Sequence, residues 1–558
     1  MRSAAARTIR AGVALGLYLS PYLRDVQAQP LESVPALSAQ AIRAHAEFLS
    51  SDLLEGRATG SRGYELAAAY VAAQFRQSGL LPIIDNKGDS KSELGYLQPV
   101  PLIEATVVLP GSSASLRRDG ATINFEFSKD YLPSANFFNA SASLSAPLVF
   151  AGYGIDAPEL KYNDFTDLEL QGRIAIILNG APERFNTDAR NYYGWRETKY
   201  ANLVKQGALG VIEVDTRDRK DDDAPSHWER ATAMSWVSEL RRVSDEDQPA
   251  ERFPELKLKF RFNLDAAAQL FPSNRPLDQI IQAAKSDSQS SALPGMVNLS
   301  ATTGLRRIES NNVLGVIRGS DPRLQNEYVL VVANLDQLGR GAAVNGDNIY
   351  NGLQRNAVGV AMLMDMARGI AALPVRPKRS ILFAAVTAGE KGAQGLQYLL
   401  SDGPVTARNI VAGIALDMPL PVTRTSDVIA VGVDQSSIGT LLVNAAQQQN
   451  LRVARADEPP FSLLSDTLTP LIRASIPVLS LHGGLRARDG RSDVRGTRRE
   501  WLQAHIDQPS DDQRNMPLDI AATRELATLN AATVVQLANI AERPVWYRSS
   551  LVHRKLAE

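Results

Sequence analysis

The hydrophobic residues of this chain follow two patterns: uninterrupted apolar runs, and apolar positions with helical spacing. Two of the runs, residues 328–339 (YVLVVANLDQLG) and 380–392 (SILFAAVTAGEKG), end in clusters of polar residues. Runs that are apolar at every position are typical of strands buried on both faces of a parallel sheet. We therefore predict two central strands here, and further strands at residues 411–416 and 476–481.

Helical spacing occurs near both ends of the chain and between the two central strands. Residues 38–82 predict two helices, of which the first is capped by Ser38 and the second stops at Gly79. The second helix has an apolar face made of Tyr64, Ala67, Ala68, Val71 and Phe75. A third helix starts near Asn356, and a final helix covers residues 519–542. The third helix is predicted to bury Met362, Leu363, Met366 and Ile370 as ordinary core.

Strands that alternate with helices predict an α/β protein. In an open α/β sheet, loop side chains converge on a crevice at the carboxyl ends of the strands. The polar clusters that end the two central strands, together with the loop 345–359 between them (NGDNIYNGLQRNAVG), are therefore the predicted site.

Composition excludes several classes of chemistry. The 558 residues contain 60 Lys and Arg against 61 Asp and Glu, so no bulk charge indicates a nucleic-acid partner. The absence of Cys excludes thiolate metal sites, disulfides and a thiol nucleophile, and the five His restrict nitrogen ligation of a metal. No phosphate-binding loop, Gly-x-Ser-x-Gly elbow or dinucleotide fingerprint was found.

The first 28 residues predict a secretory signal peptide. Arg2, Arg7 and Arg10 precede an apolar run of about ten residues, and Val26-Gln27-Ala28 has the small-x-small cleavage pattern. The run is shorter than the ~20 residues that a spanning helix needs, and no later segment is long and apolar enough. We predict an exported protein, periplasmic or secreted, with no membrane span after signal removal.

The order of these motifs resembles the dinuclear-zinc aminopeptidase family, whose relatives include bacterial leucyl aminopeptidase, aminopeptidase Y and glutamate carboxypeptidase II. The matching segments are an N-terminal signature at residues 48–65, the two central strands, the loop between them, Asp417 and residues 505–512 (HIDQPSDD). The resemblance implies a three-layer α/β/α zinc-exopeptidase-like domain with a mixed, mostly parallel sheet. Residues 29–139 and 295–558 would form this domain, and residues 140–294 an inserted, small, β-rich protease-associated domain.

Most residues that hold the two zinc ions in that family are replaced here. Asn334 stands at the position of the first zinc His, and Arg355 at that of the carboxylate that bridges both ions. Gly389 occupies the position of the general base, and the last zinc His falls on Asp507. Asp336 is retained beside Asn334, although it has lost the histidine that it supports in the family.

The remaining candidate metal ligands are Glu390, Asp417, Asp507 and His505, and His505 lies two residues before the family's position. Two zinc ions close together need anionic and imidazole donors around both. By the resemblance, one ion would keep only Glu390 and the other only Asp417. We therefore predict no zinc or other cofactor.

Arg355 changes the expected chemistry of the site. Its guanidinium is always protonated near pH 7, so it cannot ligate a metal and repels a divalent cation. Carboxylates crowded in one cleft are unfavourable without positive charge. We expect Arg355 to supply that charge through hydrogen bonds to Glu390, Asp417 and Asp507.

Residues around these positions are also candidates for ligand binding. We single out Arg355, Asp336 and Asn334 at the strand ends, and Arg486 and Arg498 in the arginine-rich segment 485–501 (LRARDGRSDVRGTRREW). Arginines that line a cleft suit a carboxylate-bearing peptide or another small anionic ligand, although a solvated insertion with local ion pairs fits the segment equally well. In the signature at residues 48–65, we interpret Asp52, Glu55 and Arg57 as a solvated turn.

Two functions remain open. The first is an exported, non-catalytic, peptide-binding member of the family that keeps the cleft. The second is an active metallo-aminopeptidase with one metal ion bound by Glu390, Asp417, Asp507 and His505. Loss of a general base costs ~10²–10⁴ in rate, and Gly389 has no side chain, so the residues favour the first.

Overall fold

Two β-sheets that share one strand organise the chain. The structure, a computed structural model, describes residues 37–83, 95–108, 111–216, 227–456, 461–516 and 518–557. The predicted signal peptide at residues 1–28 lies outside the described residues. Within them, no helix is long and apolar enough to cross a membrane.

The strands of the described residues are, in chain order, β1 (Leu97–Val107), β2 (Ser113–Arg118), β3 (Ala121–Phe125), β4 (Tyr131–Pro133), β5 (Ser141–Phe150), β6 (Asp156–Ala157), β7 (Tyr162–Asn163), β8 (Ile174–Leu178), β9 (Gly210–Val214), β10 (Glu239–Arg242), β11 (Leu258–Phe262), β12 (Ser291–Ile317), β13 (Tyr328–Asn334), β14 (Gly339–Val344), β15 (Asp347–Tyr350), β16 (Ser380–Val386), β17 (Ile410–Ala415), β18 (Asp427–Val431), β19 (Arg452–Arg455) and β20 (Val478–Gly483).

The α-helices are α1 (Ala39–Leu49), α2 (Arg62–Gln77), α3 (Thr187–Gly194), α4 (Arg196–Lys205), α5 (His227–Ala233), α6 (Leu264–Ala268), α7 (Leu277–Ala284), α8 (Val358–Ala371), α9 (Gln394–Asp402), α10 (Ile438–Gln448), α11 (Thr469–Arg473), α12 (Val494–Ala504), α13 (Ile520–Asn539) and α14 (Leu551–Leu556). Short helical turns lie at Asp52–Arg57, Pro158–Leu160, Leu353–Ala357 and Ala407–Asn409.

The main sheet has the parallel strands β16, β13, β17 and β20 at its centre. β13 pairs with β16 on one side and with β17 on the other, and β17 pairs with β20, all in parallel. Every residue of β13, β16 and β17 is buried, as expected for strands that are covered on both faces. Antiparallel strands flank this centre: β12 and β1 beyond β16, and β18 beyond β20.

Helices cover both faces of the main sheet. On one face α8 and α13 contact β13, and α1 packs on both of these helices. On the other face, apolar side chains of α9, α11 and α14 join those of β13 and β16 in one buried cluster. The predicted α/β fold with three layers and a mixed sheet with parallel central strands is confirmed.

The individual helix predictions are also confirmed. The Ser38 hydroxyl accepts a hydrogen bond from the amide of Ala41, which caps α1. The predicted apolar face of α2 is buried, as are the four predicted core residues of α8. Asp519 caps α13 by accepting from the Ala522 amide at 2.9 Å.

Strand β12 connects the main sheet to a second sheet. Its C-terminal part pairs with β1 and β16, whereas its N-terminal part pairs with β2 and β5. From β5 the second sheet continues in parallel through β8, β9 and β11, and β4 closes it antiparallel to β11. The boundary predicted at residue 294 thus falls inside β12, and β2, β3 and β4, which precede residue 140, pair within the second sheet.

Candidate functional site

The carboxyl ends of β13, β16 and β17 meet at one edge of the main sheet. Asn334 is opposite Val386, and Val332 is opposite Ala415. The residues that follow each strand therefore lie side by side: Asp336 after β13, Gly389 and Glu390 after β16, and Asp417 after β17. This is the edge at which the sequence predicts the site.

Arg355 reaches this edge from the helical turn Leu353–Ala357, which is fixed by Asp511. The two Asp511 carboxylate oxygens accept hydrogen bonds from the amides of Gln354 at 3.0 Å and Arg355 at 3.1 Å. The Leu353 amide also donates to the Asp511 backbone carbonyl at 2.9 Å. A fully buried carboxylate thus binds the free amides that begin this turn.

The Arg355 guanidinium lies between two carboxylates. Its Nε donates to Glu390 Oε2 at 2.6 Å, and Nη1 is 3.5 Å from Asp507 Oδ2. The Glu390 side chain is only 2% exposed, whereas those of Arg355 and Asp507 are 29% and 32% exposed. Arg355 therefore links a buried carboxylate to one that faces solvent.

The hydrogen-bond partner of Asp417 differs from the one that we expected. The structure gives it no ion pair with Arg355; its Oδ2 instead accepts a hydrogen bond from the Thr467 hydroxyl at 2.8 Å. The Asn334 amide nitrogen lies 3.3 Å from that hydroxyl and 3.5 Å from Glu390 Oε1. We expected Arg355 to bind all three carboxylates, but Asp417 is bound by Thr467, whose hydroxyl is also contacted by Asn334.

The Asn334 side chain fills the space beside Gly389. A Cβ atom built on Gly389 would lie 2.2 Å from Asn334 Cγ and 2.6 Å from its Cβ. Because real Cβ atoms do not approach other atoms this closely, the Asn334 side chain in this position requires glycine at residue 389. The sequence showed both replacements and gave no sign of their contact.

Asp336 is an internal structural residue in this arrangement. It is fully buried; one oxygen accepts from the Gly389 amide at 2.8 Å and the other from the Thr59 hydroxyl at 3.0 Å. We predicted Asp336 and Asn334 as ligand-binding residues, but Asn334 is also buried, at 3% exposure. Asp336 joins the ends of β13 and β16, and thereby fixes the backbone at Gly389.

Burial and charge both act on the titrating groups of the site. Burial raises the pKa of Glu390 to about 8, with Asp417 and Asp507 adding to the shift and Arg355 opposing it. For Arg355 burial lowers the pKa, but Asp507, Glu390 and Asp417 outweigh it and hold the pKa above its ordinary value. Arg355 is therefore a permanent cation within a group of carboxylates.

Two further carboxyl groups have raised pKa values. The surrounding protein partly desolvates Asp466, which raises its pKa against the attraction of Arg355. Burial also raises the pKa of Asp511 to about 7, although the amides of Gln354 and Arg355 oppose the shift. The raised pKa values reduce the negative charge that these crowded carboxyl groups carry near neutral pH.

Arg57, which we interpreted as part of a solvated turn, is 1% exposed. Its guanidinium donates to backbone carbonyls on both sides of the site: Leu335 at 3.0 Å, Asn351 at 2.8 Å, Gly352 at 3.2 Å and also Leu49. Burial lowers the pKa of Arg57 to about 10, opposed by Asp336, Asp511 and Glu390. The solvated-turn interpretation is wrong for Arg57, because carbonyl acceptors are invisible in a side-chain pattern.

The rest of that turn is closer to the expectation. Glu55 forms an exposed ion pair with Arg340 at 3.2 Å. Asp52 accepts a hydrogen bond from the Asn351 side chain at 2.8 Å. The signature at residues 48–65 therefore positions the loop that follows β15, mainly through Arg57.

The other predicted residues lie on the C-terminal side of the site. His505 Nδ1 bonds to Ser510 Oγ at 2.9 Å within its own loop. Arg486 is exposed. Arg498 is buried at 5% exposure, where it donates to the Gly483 carbonyl at 2.9 Å and lies 4.0 Å from the centre of the Phe461 ring.

The residues of the site do not fit two zinc ions. The Arg355 guanidinium, which cannot ligate a metal, donates to Glu390, and Asp417 accepts a hydrogen bond from Thr467. In the parts of the chain that the structure describes, no three His, Asp or Glu side chains are grouped so that they could hold a metal ion.

Comparison with known proteins agrees with this architecture. Residues 312–534 match the profile of the family described as Peptidase family M28. The aminopeptidase from Aneurinibacillus sp. strain AM-1 aligns at 17% identity over 91% of this chain and 96% of its own, with a TM-score of 0.53. The zinc aminopeptidase BSAP from Bacillus subtilis aligns at 17% identity over 94% and 99%, with a TM-score of 0.44. A peptidase M28 precursor from Shewanella amazonensis SB2B aligns at 17% identity over 91% and 98%, also at 0.44.

Proposed function

We propose that this protein, whose residues 312–534 match the profile of peptidase family M28, is a peptide-binding member of that family that has lost zinc-dependent hydrolysis. The proposal depends on one observation: the ion pair of 2.6 Å between Arg355 and Glu390. It replaces metal coordination at that carboxylate with a bond to a cation that belongs to the protein.

Electrostatics opposes zinc at this position. Two unit charges 4 Å apart interact by about 4 kcal/mol at an effective dielectric constant of 20, and a divalent ion doubles that figure. Zinc beside Glu390 would have to displace Arg355 or accept this repulsion. Either cost weakens zinc binding, and the site would offer each ion very few anionic ligands to compensate for it.

The position of the general base supports the same conclusion. Gly389 has no side chain, and the Asn334 side chain fills the adjacent space. A positioned base contributes ~10²–10⁴ in rate, so its loss alone would leave little hydrolysis.

Peptides are the proposed ligands because the fold is that of an aminopeptidase and the site still opens to solvent at Arg355 and Asp507.

We further propose that the protein is exported, periplasmic or secreted, on the strength of the sequence of residues 1–28. Mass spectrometry of protein recovered outside the cytoplasm tests export, since the proposal requires that these residues are missing.

Metal analysis tests the loss of zinc chemistry. We expect purified protein, incubated with equimolar zinc and desalted, to retain well below one ion per chain, and aminoacyl-nitroanilide hydrolysis to stay at background with and without zinc. A matched variant carries Asn334→His, Arg355→Asp and Asp507→His, which restores the ligand types that the resemblance implies. We expect this variant to retain more zinc than the wild type.

Stoichiometric zinc in the wild type, together with turnover that a chelator abolishes, would overturn the proposal.

To test peptide binding, we expect fluorescence anisotropy to detect association of the protein with labelled pentapeptides. Arg355→Gln should weaken it about tenfold, or ~1.4 kcal/mol, because it removes the partly exposed cation of the site. Arg323→Gln, which changes an 89% exposed arginine before β13, is the control.

A further inference from the structure

The segment 485–501 and the elements beside it form an exposed arginine surface next to the site. Arg486, Arg491, Arg495 and Arg499 are exposed there. The chain as a whole has a formal charge of −1, so this surface is a local excess of positive charge.

The acidic residues of the segment are engaged with its backbone. Asp489 accepts from the amides of Arg491 at 2.9 Å and Ser492 at 3.0 Å, and from the Ser492 hydroxyl at 2.6 Å. Asp493 caps α12 by accepting from the Gly496 amide at 2.9 Å. These carboxylates build the turn and begin the helix, and they form no ion pair with the arginines among the described residues.

Only part of the arginine surface is neutralised. Glu525 pairs with Arg424 and, at 3.3 Å, with Arg488. Within the described part of the chain, Arg486, Arg491, Arg495 and Arg499 have no salt-bridge partner, and Glu500 is the only carboxylate in α12. Exposed charges without partners are free to bind an anionic ligand.

Helix α12 directs its arginines outward and leads to the site. Val494, Arg498 and Trp501 are buried on its inner face, while Arg495 and Arg499, one turn apart, lie on the outer face. Three residues after α12 ends at Ala504 comes Asp507, which contacts Arg355. At a rise of about 1.5 Å per residue, Arg499 starts about 12 Å and Arg495 about 18 Å along the chain from Asp507.

We infer that this arginine surface binds the acidic side chains of an extended peptide whose other end occupies the Arg355 site. This inference rests on the proposed peptide-binding function and adds the class of ligand. An extended chain covers about 3.3 Å per residue, so about six residues span the distance from Asp507 to Arg495. Guanidinium groups bind carboxylates through paired hydrogen bonds, which suits aspartate and glutamate side chains.

The arrangement favours a peptide over an anionic membrane surface. Helices that bind membranes place apolar side chains in the lipid beside their basic residues. In α12 the large apolar residues Val494 and Trp501 face the protein interior, at 3% and 1% exposure. The surface can thus attract anions but has no apolar group to insert.

Fluorescence anisotropy with matched peptides is the test. One labelled decapeptide carries glutamate at positions five to eight, and its partner carries glutamine there. We expect the acidic peptide to bind at least tenfold more tightly at low salt, with the difference reduced by added salt. Arg495→Gln with Arg499→Gln should remove most of that preference and leave the glutamine peptide unaffected.

A charge-matched control is Arg323→Gln with Arg376→Gln. Both arginines are exposed and precede β13 and β16, at the opposite edge of the sheet. Equal binding of the two peptides, or an equal loss in both double variants, would overturn the inference and leave the proposed function standing. Failure of every peptide to bind would remove both. Binding to vesicles with anionic lipid, abolished by Arg495→Gln with Arg499→Gln, and no preference for the acidic peptide, would assign the surface to a membrane.

Discussion

Arg57 and Arg355 are stabilised in different ways at the same site. Arg355 is bonded to carboxylates and remains partly exposed, whereas Arg57 is enclosed and donates to carbonyl oxygens of three separate segments. Removal of Arg57 would leave buried carbonyls unpaired, at a cost of about 1–3 kcal/mol for each unsatisfied group. Arg57 therefore stabilises the backbone that carries the site, and Arg355 is the arginine that a ligand can reach.

The contact between Gly389 and Asn334 predicts a non-additive pair of substitutions. We expect Gly389→Ala to lower the free energy of unfolding by about 1–3 kcal/mol, because its Cβ would overlap Asn334. In an Asn334→Gly background the same change should cost much less, since no side chain remains at residue 334. Urea denaturation of the four proteins of this cycle measures the coupling.

Gly304→Ala serves as the control, because a Cβ at Gly304 would meet its nearest neighbour, in Val108, at 3.6 Å. Equal costs of Gly389→Ala in both backgrounds would contradict the steric coupling. This coupling also limits any attempt to restore a general base: Gly389→Glu alone has no room for its side chain.

For individual residues, the sequence predicted contacts between charged groups better than it predicted hydrogen bonds to neutral groups. The link between Arg355 and Glu390 followed from the need to neutralise a crowded carboxylate. The engagement of Asp417 by Thr467 did not, because a hydroxyl fifty residues away in sequence carries no pattern that announces it. The burial of Arg57 was missed for a similar reason. Its partners are backbone carbonyls, which every residue has, so no sequence pattern marks them.

Among the elements, the turn Leu353–Ala357 depends on Asp511. Burial raises the pKa of this carboxyl to about 7, whereas an unfolded aspartate titrates near 3.9. Between these values the folded state binds more protons than the unfolded state. Its contribution to stability is therefore fully present below about pH 4 and is lost as the pH rises to about 7.

We expect the free energy of unfolding to fall over this pH window in the wild type, by at most about 1.4 kcal/mol per pH unit from this group. Asp511→Asn removes the titration and should flatten the profile between pH 4 and pH 7. Urea denaturation at half-unit pH steps measures both. Asp512→Asn makes the same chemical change on the neighbouring, half-exposed residue; a profile flattened equally by both variants would contradict the assignment to Asp511.

The elements themselves were the most predictable part of the fold. The apolar runs of β13, β16 and β17 were located to within a few residues, because strands buried on both faces leave an unambiguous pattern. The sheet pairing of β2 and β4 was not predicted, since their partners β12 and β11 lie more than 100 residues later in the chain.

Across the whole molecule, side chains from α4 and from the segment between α5 and β10 pack against elements that follow β13. Trp236 lies against Gly341 in β14, where an added Cβ would fall 2.0 Å from the indole ring. Glu197 in α4 pairs with Arg473 at the end of α11. The Lys391 ammonium, next to Glu390 in sequence, donates to the Ser238 hydroxyl at 2.8 Å.

We expect Gly341→Ala to displace Trp236 and loosen this packing. Amide hydrogen exchange should accelerate in residues 227–242 and 339–350, and unfolding should cost about 1–3 kcal/mol less than in the wild type. Gly304→Ala is again the control, in a strand without such a neighbour. Unchanged exchange around Trp236 in the Gly341 variant would show that the ring has room to move.

Strand β12 has a consequence for how the protein acquires and loses its structure. Each half of the strand pairs within a different sheet. If one sheet loses its hydrogen bonds to β12, the adjacent part of the other sheet should lose pairing as well. Unfolding should then proceed as one cooperative event across both regions, and a chain cut within β12 would present two unpaired edges to other molecules at once.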